Sequence, residues 1–176
     1  DHFRRKHCRL CGASSVELAL RLEPTPPANE FVPSSAVGQP QTRYPLDVFL
    51  CRECGHAQLL DVVSPEILFR NYVYVSGTSP VFVEHFRQYA ESLCTTHRFS
   101  SPKPLALEIG SNDGTLLRFF REAGMSVLGV DPATEIARQA TESGITTIPE
   151  FFSEALAERI RNEMGAASVI AANNVF

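Results

Sequence analysis

The chain has 176 residues, 44% hydrophobic and 20% charged, with a mean hydropathy of -0.06 and a formal net charge of -4. That length allows one ordinary domain, or a small domain beside a larger one, and the composition excludes disordered, collagenous and coiled-coil chains. Residues 1–60 hold seven Lys/Arg against six Asp/Glu and residues 61–176 nine against fourteen, so there is no basic stripe for a nucleic-acid backbone. No run approaches the ~18 apolar residues of a membrane span. The start, Asp1-His2-Phe3-Arg4-Arg5-Lys6, lacks the apolar core of a signal peptide. A cytoplasmic protein with no nucleic-acid and no membrane partner is therefore expected. The missing initiator Met, and the stop at Asn173-Asn174-Val175-Phe176 in what reads as a strand or the loop leaving it, read as a fragment.

Four of the five cysteines come in two C-x-x-C-G pairs, Cys8-Arg9-Leu10-Cys11-Gly12 and Cys51-Arg52-Glu53-Cys54-Gly55, separated by 39 residues. A two-residue spacer lets one turn present two thiolates, and a following Gly permits the backbone to turn its amides toward sulfur. Two such knuckles supply the four soft ligands of tetrahedral zinc and leave no open position, so the expected metal is structural Zn2+ on Cys8, Cys11, Cys51 and Cys54. The competing readings are a redox dithiol, for which neither flank resembles a thioredoxin-like strand-to-helix turn, and a disulfide, which a reducing compartment disfavours. His7 and His56 beside the pairs read as surface or supporting residues. Strands are expected over Val16–Leu22 and Leu46–Leu50, with Pro-rich loops between them. The boundaries that follow are a zinc domain over 1–62, a helical connector or lid over 63–100, and a sheet domain over 101–176.

Ser64-Pro65 and Ser79-Pro80 each place a capping residue before a proline, so two helices are expected to start there. The second, Pro80 to about Thr96, aligns Phe82, Phe86, Tyr89, Ala90, Leu93 and Cys94 on one apolar face, expected to pack on a neighbouring domain. Cys94 reads as a small apolar residue. Between the helices, Tyr72-Val73-Tyr74-Val75-Ser76-Gly77-Thr78-Ser79 reads equally as a loop lining a site or as a strand edge with half-buried tyrosines.

From Leu105 the pattern becomes alternating strand and helix. Strands are expected at Leu105–Ile109, Ser126–Val130, Ile145–Ile148 and Ala167–Ala172, and helices at Thr115–Ala123, Ala133–Ser143 and Ser153–Met164. Repeated βα units imply a doubly wound α/β fold with a parallel sheet, whose ligand lies across the carboxyl ends of the strands. Gly110 and Gly114 are placed for close approach there. Asp131 ends the second strand 21 residues after Gly110 and exits through Pro132, near the ~20-residue spacing at which an acid meets a ribose diol. An acid at a strand end is also an ordinary turn former. The turn Glu108-Ile109-Gly110-Ser111-Asn112-Asp113-Gly114 is not G-x-G-x-x-G, and its carboxylates would repel a pyrophosphate. They suit a cofactor bearing an amine and a sulfonium, as S-adenosylmethionine does.

The E-x-G-x-x-D-G turn resembles motif I of class I S-adenosylmethionine-dependent methyltransferases. In order, C-R-x-C-G, Pro26-Pro27-Ala28-Asn29, Tyr44-Pro45-Leu46, C-x-x-C-G-H-x-Q-L, Y-x-Y-x-S-G-T-S, E-I-G-S-N-D-G, G-V-D-P and A-N-N-V-F resemble the deoxysugar C-methyltransferase family, over essentially the whole chain. The resemblance implies a zinc-binding domain before a Rossmann-like methyltransferase domain, here truncated after about the fourth strand. It also implies methylation beside the ketone of a nucleotide-linked 4-keto-deoxysugar, through an enolate. By resemblance Glu108, Gly110, Ser111, Asn112, Gly114, Asp131 and Pro132 would hold the cofactor, Phe152 would flank adenine, and Asn173 would lie near the reacting end. Tyr72, Tyr74 and Ser76 match the family's lid, with the two tyrosines as catalytic candidates. The family continues into a C-terminal domain carrying most sugar contacts and a histidine base; His85 does not replace it, and the 176 residues alone are expected not to turn over. The other functional readings are a noncatalytic zinc-ribbon interaction module and a methyltransferase acting on nitrogen or oxygen.

Overall fold

The cysteine pairs and the βα repeat fall in different units of the chain, Asp1–Tyr72 and Val73–Phe176. The computed structural model describes residues 2–175. No helix among them is long and apolar enough to cross a membrane.

In the first unit, β1 (His2–Arg4) pairs antiparallel with β5 (Asp61–Val63), and β2 (Val16–Leu20), β3 (Val48–Cys51) and β4 (Ala57–Leu59) form an antiparallel sheet in the order β2-β3-β4. The two expected strands are present with shifted ends. β2 stops at Leu20 after a register irregularity, and β3 runs into the second cysteine knuckle, ending on Cys51 itself. The Pro-rich stretch between them holds a single bridge, Thr25 to Tyr44, and one 3-10 turn, Ser34–Ala36. Burial here is sparse: Cys8, Tyr44, Phe49, Cys51 and Leu60 are buried, whereas Leu18, Leu20, Leu22 and Phe31 are exposed. So few buried apolar side chains leave a small unit short of stabilising burial, the situation in which a bound metal supplies folding free energy. α1 (Pro65–Phe69) starts at the expected Ser64-Pro65, but the Ser64 hydroxyl makes no capping bond. Its carbonyl takes the Ile67 N–H instead.

The second unit opens on an irregular segment with one 3-10 turn, Ser76–Thr78, so of the two readings of 72–79 the loop is realised. α2 (Pro80–Thr96) follows, capped by Ser79 Oγ on the Phe82 N–H. Its apolar face packs, as expected, on the region beyond residue 101, and the two fall in one unit. Ala90 is fully buried, and Phe86, Tyr89, Leu93 and Cys94 lie on the cluster built from Leu116, Leu117 and Phe120. Phe82, the first member of the expected face, stays 47% exposed and stacks on Phe86.

Four parallel strands, β6 (Leu105–Ile109), β7 (Ser126–Val130), β8 (Thr147–Ile148) and β9 (Val169–Ala172), lie in the order β8-β7-β6-β9. They alternate with α3 (Thr115–Glu122), α4 (Thr134–Glu142) and α5 (Glu154–Met164). β6 is buried along its whole length because both of its faces are covered, which is why it reads as a continuous apolar run. Ala106 faces α2 and α3, while Leu105 and Leu107 face Leu156 and Ile160 of α5. β8 is shorter than expected because the Ile145 N–H is already committed to the Ala140 carbonyl at the end of α4. The strand order reverses at β6, with β7 and β8 to one side and β9 to the other. The crevice of a doubly wound sheet therefore opens at the carboxyl ends of β6 and β9.

Candidate functional site

In the first unit the four paired cysteines converge. Cys8 Sγ lies 3.7 Å from Cys54 Sγ and Cys11 Sγ 3.6 Å from Cys51 Sγ, and all four sulfurs fall within 4.8 Å of one another. A zinc tetrahedron with ~2.3 Å Zn–S bonds has sulfurs about 3.8 Å apart, whereas a disulfide brings them to about 2.05 Å. The cluster fits the ion, and all five cysteines are free thiols. The two knuckles are built alike: Gly12 and Gly55 take φ of 76° and 73°, and their N–H groups close onto the carbonyls of Cys8 and Cys51 at 3.0 Å. Cys8 is pulled down to about 6 by the Cys11 N–H, against burial and with help from the Leu10 N–H. The His56 N–H lowers Cys54 too, yet burial and the neighbouring thiols push it up to about 12. Thiols packed this closely cannot all ionise unaided, and a dication resolves that conflict. Gln58 ties the set together, since its buried Oε1 accepts the Arg9 N–H of the first knuckle at 2.9 Å from β4. Neither His7 nor His56 belongs to the group of possible metal ligands among the described residues.

In the second unit the strand ends gather acids. The turn after β6 is fastened by the Gly110 and Ser111 N–H groups, both donating to the Val130 carbonyl that ends β7. Gly110, Asn112 and Gly114 all take left-handed backbone, which turns the chain tightly into α3. Glu108 is 4% exposed; its Oε1 meets Asn173 Nδ2 of the segment leaving β9 at 3.4 Å, and its Oε2 is buried without a hydrogen-bond partner. Ser111 Oγ is buried and unpartnered as well. Burial, opposed by Asn173 and reinforced by Asp113 and Asp131, pushes the Glu108 carboxyl up to about 8. Asp131 is 7% exposed, and burial raises its carboxyl in spite of two backbone bonds, Ala133 N–H to Oδ1 (2.9 Å) and Asn112 N–H to Oδ2 (2.8 Å). It thus acts as an ordinary turn former, and a carboxylate has lone pairs beyond these two bonds.

Asp113 is committed differently. Its Oδ1 accepts the Thr115 N–H (3.2 Å) and hydroxyl (2.7 Å), placing a carboxylate at the N-terminus of α3. A pyrophosphate would need that place, so the turn excludes the dinucleotide arrangement on geometry as well as charge. A Cβ on Gly114 would fall 2.8 Å from Ile145, and one on Gly110 would fall 2.5 Å from Val175. The space at Gly110 is therefore filled by a side chain of this chain. Pro132 is half-buried where the chain leaves Asp131. Phe152 packs on the Leu105, Leu107 and Leu128 cluster, and Asn173 sits exposed at the end of β9. The turn thus brings Glu108, Ser111, Asp131 and Asn173 to one end of the sheet. Tyr74 enters through its carbonyl, which takes Asn112 Nδ2 at 2.8 Å. Tyr72 ends the first unit, its ring edge-on to Phe69 and its hydroxyl 3.4 Å from Asn29 Nδ2. The Ser76 and Gly77 N–H groups donate to the Asn112 and Asp113 side chains; the Y-x-Y-x-S-G-T-S motif singles out the segment, but nothing in it points to these contacts.

Residues 8–69 match a family model described as "Putative zinc binding domain", which spans all four clustered cysteines. The chain is 33% identical over 169 residues, 96% of its length, to the C-methyltransferase NovU of Streptomyces niveus, and spans 40% of that relative. The resemblance carried by the motifs is thereby borne out. Among solved structures it is similar to the plantazolicin methyltransferase BpumL in complex with SAH, at 18% identity and a TM-score of 0.35, covering 52% of this chain and 34% of that one. It is also similar to the plantazolicin methyltransferase BamL in complex with a triazolic desmethylPZN analog and SAH, at 16% identity and a TM-score of 0.30, covering 47% and 29%.

Proposed function

We propose that the chain carries the structural zinc domain and the cofactor crevice of a C-methyltransferase that uses S-adenosylmethionine to methylate a nucleotide-linked 4-keto-deoxysugar through an enolate. The observation that carries this reading is the crevice itself, where a buried acid with an unpartnered oxygen, Glu108, stands beside a second buried acid, Asp131. A site of that charge favours a cationic ligand over a pyrophosphate. The similarity to a C-methyltransferase supports the same choice.

Each residue then has a task. Asp131, oriented by its two backbone donors, accepts the ribose hydroxyls; Glu108 Oε2 accepts from the ligand's ammonium group; Asn173 steadies Glu108 from β9. Phe152 offers an apolar ring at the α5 side of the sheet for adenine. The bound cofactor supplies an electrophilic methyl on sulfur. On the acceptor, a base would take the proton beside the ketone, and the resulting enolate carbon would accept the methyl as its bond to sulfur breaks, leaving S-adenosylhomocysteine; holding the two ligands in line would provide much of the acceleration. Tyr72 and Tyr74 are assigned to the sugar side. His85 stacks on the Tyr89 ring within α2 and is not assigned as the base.

Calorimetric titration of S-adenosylhomocysteine, with NADH as control, tests the cofactor reading on this chain and on the complete protein that contains it. Binding of the first and not the second is expected. NADH binding, or silence from both ligands in the complete protein, overturns it. Labelled-methyl product analysis then separates transfer to carbon from transfer to nitrogen or oxygen.

A further inference from the structure

Segment 74–77 has no strand or α-helix, only the start of the Ser76–Thr78 3-10 turn, and it is fastened at three points to the turn after β6. The Ser76 N–H donates to Asn112 Oδ1 at 2.9 Å, Asn112 Nδ2 donates to the Tyr74 carbonyl at 2.8 Å, and the Gly77 N–H donates to Asp113 Oδ2 at 2.8 Å. The same two side chains also brace the turn. Asn112 Oδ1 accepts the Asp113 N–H at 2.9 Å, and Asp113 Oδ1 holds Thr115. The approach is tight enough to exclude a side chain, since a Cβ on Gly77 would lie 2.6 Å from Asp113 Oδ2 and 3.0 Å from Thr115 Oγ1. Asn112 reaches the segment only because its own backbone is left-handed, at φ 51°, a conformation Asn and Gly tolerate best. In that conformation its N–H lands on Asp131 Oδ2.

We propose that Asn112 and Asp113 are positioning residues, a two-pronged latch that locks segment 74–77 to the glycine turn and makes its order depend on occupancy at Asp131. Asn112, which the resemblance places at the cofactor, turns its side chain to the segment, and Asp113 does the same. Asn112 is the hinge of the coupling, because its backbone holds Asp131 while its side chain holds Ser76 and Tyr74. A ligand that fixes Asp131 fixes Asn112 with it, and by linkage an ordered segment strengthens binding at Asp131. The ligand half of this statement rests on the function proposed above; the latch does not.

Amide hydrogen exchange on the 176-residue chain reads both halves. Asn112→Gly keeps the left-handed backbone and removes the side chain, and it should speed exchange at Ser76 and Gly77 about tenfold or more while the β6 and β7 amides stay protected. Asn112→Asp keeps the acceptor for Ser76 but sets a carboxylate oxygen against the Tyr74 carbonyl, so protection at Ser76 should recover in part, to at least about threefold above that of Asn112→Gly. Gly77→Ala, which keeps an ordinary backbone but drives Asp113 away, should expose the same segment if Asn112→Gly fails to fold. Unchanged exchange at 76 and 77 in folded Asn112→Gly or Gly77→Ala overturns the latch, as does failure of Asn112→Asp to restore Ser76 in part. In the ligand arm, S-adenosylhomocysteine should slow exchange at 76 and 77 in the parent and not in Asn112→Gly. If it binds and leaves those amides unchanged, the coupling is refuted. If it does not bind even the complete protein, the cofactor reading fails, while exchange in the free chain still decides the latch.

Discussion

Glu108→Gln should raise stability and lower ligand affinity together, and the size of the first effect follows from the burial of the carboxyl. Its ordinary value of 4.5 is pushed up to about 8, chiefly by desolvation. The native carboxyl therefore keeps its proton over a range in which the unfolded chain has lost it. Between pH ~4.5 and ~8 the unfolded state binds fewer protons, so stability falls as pH rises, by up to ~1.4 kcal/mol per pH unit, and levels off above. Across the window the loss reaches at most about 5 kcal/mol, since each pH unit contributes ~1.4 kcal/mol and water penetration and relaxation reduce the full value. Glutamine keeps the shape and an oxygen for Asn173 Nδ2 but cannot ionise. The variant should match the parent near pH 5 and exceed it by several kcal/mol near pH 8. Urea unfolding followed by far-ultraviolet circular dichroism at the two pH values measures this, because the second unit contains α2 to α5. The second effect is read by titrating S-adenosylhomocysteine: the parent should release a proton on binding below pH 8, detectable as a dependence of heat on buffer, and the variant should bind more weakly without that release. An unchanged difference in stability between pH 5 and pH 8 in Glu108→Gln would refute the argument, because the titration would then belong to another group.

Three further substitutions probe the other parts of the molecule. Cys51→Ser removes a buried sulfur from the tetrad; zinc content should fall and residues 1–72 should become protease-sensitive, and unchanged metal by emission spectroscopy counts against the site. Gly114→Ala forces a Cβ into left-handed backbone and to within 2.8 Å of Ile145, which should lower stability by about 2–4 kcal/mol in urea unfolding. Asp131→Asn retains one acceptor for the Asn112 and Ala133 N–H groups, where the carboxylate offers two, so stability should drop by ~1–3 kcal/mol. The same variant should bind S-adenosylhomocysteine more weakly, and undiminished affinity removes Asp131 from the site.

How far the sequence reveals this arrangement depends on how local the encoding is. The knuckles are legible because spacing and a following Gly determine them within five residues, and β6, β7, α3 and α4 because short apolar runs and helical periods alternate there. β1, β4 and β5 are not, since each has three residues and His2–Arg4 finds its partner only some sixty residues away at Asp61–Val63. The contacts of Asn112 and Asp113 with Ser76 and Gly77 are hidden for the same reason: the motif specifies a turn, and nothing in it names the amides on which the side chains close. Glu108 and Ser111 are a different case. Burying them between Leu107 and Ile109 and beneath the turn leaves polar atoms unpaired, against the general rule for buried groups. The apolar covering on both faces of β6 supplies the stability that tolerates them. A pattern that places an ionisable group at a fully covered strand end, where Gln or an apolar residue is expected to fold better, is what the proposed ligand, needing the carboxylate, would explain. On that proposal these residues read as a site because they are the least favourable part of the fold.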